Sequence, residues 1–189
     1  MSTNTKFTTQ NELLLNNLLE FYKNHDYLDK MLKIITGDSK ISLRIVDWFS
    51  TNYSKKNYTL YDLVNKNGEL IRFKVYFDYK LKLKAYSKRR FDPFCRWDRI
   101  NIPYKNNTFI ETTLGQLNFF KWALENKVID YIEEHYEIIE QDMNNRNSSA
   151  KRKENINENT KTRKKREELS ISATKSIKKE NVEIIVKFN

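Results

Sequence analysis

Residues 71–90, IRFKVYFDYKLKLKAYSKRR, constrain this chain more than any other stretch. Apolar residues alternate without interruption: Ile71, Phe73, Val75, Phe77, Tyr79, Leu81, Leu83 and Ala85. Arg72, Lys74, Tyr76, Asp78, Lys80, Lys82, Lys84 and Tyr86 lie between them. Successive side chains on a strand point to opposite faces, so the pattern predicts a half-buried strand. The stretch is longer than the ~5–6 residues of a typical strand, so a bend or bulge is expected near Asp78. A helix competes from Tyr79 to Arg90. Tyr79, Leu83 and Tyr86 also fall at helical spacing, and Lys and Leu are good helix formers. Alternation is the stronger signal, and the strand is expected to hold to Phe77.

The same stretch carries much of the charge. The 189 residues have a net charge of +10. Residues 71–100 hold ten Lys/Arg against three Asp, an excess of seven. Residues 145–189 hold thirteen against six Asp/Glu, again an excess of seven, which leaves the remainder at −4. Cations gathered in two places suit an anionic partner better than cations spread evenly. The competing reading is neutralisation of an acidic neighbour. The helix expected around Glu133, Glu134, Glu137, Glu140 and Asp142 is placed to provide one.

Around this stretch the chain reads as α+β. Helices are expected from Thr9 or Asn11 to about Lys23, from Tyr27 to Thr36 with Gly37 as the C-terminal cap, and from Ile41 to Tyr53. Tyr58–Val64 is a candidate strand, and Asn67-Gly68 supplies the turn to the next one. Phe91-Asp92-Pro93 breaks the pattern. Arg99–Tyr104 and Thr108–Glu111 read as a further hairpin. Thr112 or Thr113 caps a helix that Asn126 interrupts, and an acidic helix runs from Val128 to about Met143. From Asn144 the composition turns polar and charged, as in a linker or a flexible tail. Val182–Phe188 then alternates again and predicts a terminal strand. The expected organisation is a domain over residues 1–143, with helices packed on a small, mostly antiparallel sheet. A flexible basic tail over residues 144–189 ends in a short strand.

Three segments together resemble a family of short basic proteins of giant nucleocytoplasmic DNA viruses: SLRIVDWFSTNYSKKN, KAYSKRRFDPFCRWDRI and TTLGQLNFFKWALENKVIDYI. The resemblance spans roughly residues 40–135, with a similar basic tail and terminal strand. Trp97 departs from it, standing where a second basic residue is expected after FDPFCR. The family has no established activity. The resemblance therefore implies a viral origin and packaging in the particle, and assigns no site residue.

Several chemistries are disfavoured. Gly37, Gly68 and Gly115 are the only glycines and lie far apart, so no phosphate loop or dinucleotide fingerprint exists. Cys95, His25 and His135 are too dispersed for a zinc site, and a thiol–imidazole pair among them is a weak prospect. Asp62 followed by Asp78-Tyr79-Lys80 is similar to the carboxylate–lysine layout of metal-dependent nucleases. A motif this short arises by chance in a chain this rich in Asp and Lys. The expectation is a protein that is not an enzyme and has no cofactor.

Binding has more support. As a strand, Lys80, Lys82 and Lys84 share one face about 7 Å apart, a spacing that suits phosphates rather than base edges. Tyr76 and Tyr86 on that face are placed to stack on bases. Lys88, Arg89, Arg90, Arg96 and Arg99 extend the patch. In the tail, Lys151-Arg152 precedes Arg163-Lys164-Lys165-Arg166 by ten residues. That spacing fits a bipartite nuclear-import signal and equally an electrostatic arm for DNA or RNA. The expected partners are DNA or RNA through phosphates, and other virion proteins through the C-terminal strand. With one cysteine, no long apolar run and no signal-peptide core, the chain is expected to be intracellular and without membrane contact. The virion, host nucleus or viral factory are the expected locations.

Overall fold

The computed structural model describes residues 9–65, 67–96, 99–105, 108–156 and 178–181, with 147–156 and 178–181 as backbone alone. The first helix, α1 (Gln10–Phe21), starts at a reciprocal capping box. The Glu12 amide donates to Thr9 Oγ1 at 3.3 Å, and the Thr9 amide donates to Glu12 Oε2 at 2.8 Å. Helix α2 (His25–Thr36) is capped by Asn24 and ends at Gly37, whose φ of 87° only glycine adopts freely. Its stripe of Leu28, Met31, Leu32 and Ile35 is buried, as its spacing predicts.

The third expected helix is longer and less regular than its sequence suggests. It runs as α3 (Leu43–Trp48), a π-helical turn (Phe49–Tyr53) and a last α-turn, α4 (Ser54–Lys56). Hydroxyls explain the distortion. Ser50, Thr51 and Ser54 each donate to the carbonyl four residues back, at 2.8, 2.7 and 2.9 Å. Such back-bonding competes with the backbone ladder and bends helices.

Strands β1 (Leu60–Val64) and β2 (Leu70–Lys74) form an antiparallel hairpin in which Tyr61 opposes Phe73 and Val64 opposes Leu70. The Asn65 side chain accepts from the amides of Asn67 and Glu69, both at 2.9 Å, and Gly68 turns at φ 81°. Here the strand reading of residues 71–90 is overturned. The strand stops at Lys74, and Val75–Phe91 is a helix, α5. Within the alternating run, Val75, Tyr79, Leu83 and Tyr86 also lie at helical spacing, and this subset packs inward. Phe77 and Leu81, which fit only the strand pattern, are left 59% and 65% exposed.

Strands β3 (Arg99–Pro103) and β4 (Thr108–Thr113) pair as expected, and β5 (Lys178–Asn181) adds to the other edge of β4. Among the described residues the strands form two small antiparallel sheets, and the arrangement is α+β as expected. The tail rejoins the domain through residues 178–181, while the expected strand at 182–188 lies outside the described residues. Helix α6 (Leu114–Glu125) follows β4 through the Thr113 cap. Nine of its twelve residues are buried, which makes it the central element. Phe119 and Trp122 meet Tyr79 and Phe91 with ring centroids 5.8–6.3 Å apart. Gly115 is needed here because a Cβ would meet the Asp92 carbonyl oxygen at 2.6 Å. Helices α7 (Val128–Glu134) and α8 (Tyr136–Ile156) complete the domain. Helix α8 runs well past Asn144, where the composition predicts a linker. It packs on α3 and the π-helical turn, while α5 packs on α6.

Candidate nucleic-acid interface

The helical form of α5 redistributes the lysines that a strand would align. At 3.6 residues per turn, Lys80 and Lys84 differ by about 40° and Lys82 points to the far side. Lys80 and Lys84 are exposed on the flank shared with Tyr76, and the Lys80 Nζ lies 5.7 Å from the Tyr76 ring centre. Lys82 is half-buried beside Asp78, Lys121, Trp122 and Glu125. The three lysines do not form one row. Tyr86 is half-buried, with its ring stacked on Phe91 at 6.1 Å.

The helix is broken at Ser87, whose φ of 64° and ψ of 167° lie in a region that essentially only glycine occupies. Its surroundings hold it there. Phe91 is fully buried, and Asn118 of α6 donates to the Arg90 carbonyl at 2.9 Å. The amides of Asp92 and Cys95 donate to Lys88 and Asp92 carbonyls at 2.9 and 3.1 Å, and the Phe94 amide donates to Asp92 Oδ1 at 2.9 Å. Beyond the break, Lys88, Arg89 and Arg96 line one open cavity of about 620 Å³, together with Asp92, Phe94 and Cys95. Arg90 turns elsewhere and donates to Gln10 Oε1 at 3.1 Å.

Carboxylates shape this region. Burial, and then the nearby charge of Asp92, pushes Asp47 of α3 up to about 7. Arg99 is on β3, 3.4 Å from Glu111 of β4, a cross-strand pair separate from the cavity residues. The acidic helix does not cover α5 with Asp142. That carboxylate accepts from Lys56 Nζ at 2.6 Å and Trp48 Nε1 at 3.1 Å. The Lys56 bond holds it below the ordinary carboxylate range. Asp62 lies 3.6 Å from Arg72, and Asp78 accepts from Trp122 Nε1 at 2.6 Å. Each acid of the nuclease-like layout thus has its own partner. Among the described residues no three His, Cys, Asp or Glu side chains gather as a metal site. His135 stacks on Tyr131 with ring centres 4.1 Å apart.

Lys151 and Arg152 fall within α8, and Arg163, Lys164, Lys165 and Arg166 lie outside the described residues. Among the described residues no helix is long and apolar enough to cross a membrane.

Residues 1–187 match DUF7197, a family of unknown function. The chain belongs to that family. A relative from Acanthamoeba polyphaga mimivirus, "Uncharacterized protein L507", is 46% identical over 156 residues, covering 79% of this chain and 60% of its own length. The chain thus spans about three fifths of the curated relative it matches. The giant-virus resemblance read from the three segments agrees with that source. No solved structure matches the chain.

A second surface was not anticipated. Where α4, β1, β2 and α5 meet, Ser54, Lys55, Tyr58, Thr59, Leu60, Lys74, Tyr76 and Phe77 line a groove of about 380 Å³. Its signal in the sequence is Phe77, an apolar residue in a helix whose buried stripe does not include it.

Proposed function

We propose that this protein binds nucleic acid through phosphates, without catalysis, as a viral protein packaged in the particle. The convergence of Lys88, Arg89 and Arg96 on one cavity carries the reading. Scattered surface lysines need no explanation. Three long cations beside a single carboxylate, Asp92, give the cavity a net positive lining just past a strained break, and such a lining favours an anion. The exposed Lys80 and Lys84 extend the positive surface along α5, and the basic tail adds a second arm. The mimivirus relative supports the viral half of the reading. The separate engagement of Asp62 and Asp78 supports the absence of nuclease chemistry. The test is filter binding of the full chain to DNA, RNA and heparin across a salt series. Log affinity is expected to fall linearly with log salt, by about 0.9 per phosphate contacted on duplex DNA. Affinity that hardly changes with salt overturns the proposal.

Assembly through protein contacts is the second reading, and the hairpin tip favours it. Val64 and Leu70 face each other across β1 and β2, 63% and 72% exposed. Paired exposed apolar residues on a two-stranded sheet mark a contact surface. Leu70→Asp is expected to reduce self-association or particle incorporation, with nucleic-acid affinity unchanged.

A further inference from the structure

The groove between the hairpin and the start of α5 differs in kind from the cavity beyond Ser87. Tyr58 stands at its edge, 78% exposed and held at φ 47°, a left-handed conformation unfavourable for a bulky residue. Phe77 stands 59% exposed, and its ring meets Tyr76 edge-on at 6.0 Å. Lysines frame these rings. Lys55 and Lys74 line the groove, and Lys55 and Lys80 approach the Tyr76 ring from 5.6 and 5.7 Å. Among the described residues, the charged ones lining the groove, Lys55 and Lys74, are both cations.

An occupant must therefore bring flat apolar groups and negative charge together. A nucleic-acid duplex brings the charge but keeps its base faces stacked inside. A single strand brings both, because its bases can turn out and lie on aromatic rings while its backbone meets lysines. The groove also lies on the same side of α5 as Lys80 and Lys84, so a strand leaving it continues along cations.

We propose that this groove binds single-stranded nucleic acid, with bases stacked on Tyr58 and Phe77 and phosphates on Lys55 and Lys74. The inference rests on the nucleic-acid reading above and assigns it a strand preference.

The test compares four probes by fluorescence anisotropy with the full chain: oligothymidylate, an abasic oligomer of equal length and charge, duplex DNA and heparin. Oligothymidylate is expected to bind about tenfold or more tighter than the abasic oligomer. The Tyr58→Ala/Phe77→Ala double variant is expected to lose that advantage and keep its affinity for the other three. Equal affinity for the first two probes overturns the groove and leaves phosphate binding standing. Equal losses on all four probes also overturn it. Failure of every probe to bind overturns both readings. The first comparison needs no variant, so it holds even if the double variant folds poorly. Sedimentation supplies the last outcome. If the double variant loses self-association and keeps its oligothymidylate affinity, the groove belongs to a second copy of the chain and the proposal falls.

Discussion

The two ends of α5 present cations in opposite ways. At the N-terminal end the helix grows directly out of β2, the backbone of Val75–Tyr86 is regular, and aromatic rings stand out among lysines. At the C-terminal end the helix breaks, the rings turn inward against α6, and Lys88, Arg89 and Arg96 gather beside Asp92. Rings are exposed where packing makes few demands and buried where it makes many. One basic helix thus carries two cationic surfaces of different make-up, and the make-up of each follows from the neighbour beneath it.

The difference is open to experiment, and the largest expected effect is at Gly115. Gly115→Ala sets a methyl against the Asp92 carbonyl and is expected to destabilise the fold by about 1–3 kcal/mol in urea unfolding. The damage should centre on the C-terminal end. A loss of base-dependent binding equal to the loss of charge-dependent binding would show that the two ends are not independent. Next comes charge reversal. Lys88→Glu with Arg89→Glu is expected to weaken binding of all polyanions by roughly tenfold or more at low salt. Lys82→Ala, half-buried on the other flank, should change little.

A second stability effect, read by pH, is predicted from acidity. Asp47 keeps its proton in the folded chain up to about 7, against an ordinary value of 3.8. A raised folded value makes folding favour the protonated form. Its contribution is complete below the ordinary value and is lost as pH rises through about 7. Thermal melting should fall over that window, and Asp47→Asn should flatten the fall. The smallest effect is expected at Ser87. Ser87→Gly relieves the strained φ and should stabilise the chain by up to about 1 kcal/mol. If it instead loosens the cavity, charge-dependent binding drops while the groove is untouched, which sharpens the contrast between the ends.

Much of the fold was legible where one residue type has one use. Gly37 ends a helix, Asn65 and Gly68 make a turn, and Thr113 caps α6, each for a local reason that needs no knowledge of the rest. Residues 75–86 were not legible because one set of apolar residues satisfies two periods. Packing against α6 chose between them, and α6 lies about forty residues further on, beyond the reach of any local pattern. The break at Ser87 carries no Gly or Pro to announce it. Helix α8 outruns its apolar face, so its polar half reads as linker. The Lys-Lys-Glu-Asn of β5 has no alternation at all. For the site, the individual cations could be named from composition, but their grouping depends on that unannounced break. Tyr58 and Phe77 were missed because exposed rings look like core residues until the core has been built.

The pairing of β5 with β4 also bears on the order in which this protein folds. The two strands are separated by roughly seventy residues, a long-range contact of the kind that slows a search. The hairpins and the packing of α5 on α6 involve nearer neighbours and are expected to form first. During the interval, the outer edge of β4 shows a row of unsatisfied amides and carbonyls. Residues 178–181 of a neighbouring chain match that edge as well as the chain's own. At high protein concentration, refolding is therefore expected to yield exchanged dimers alongside monomers, with the seam on β4 as the joint.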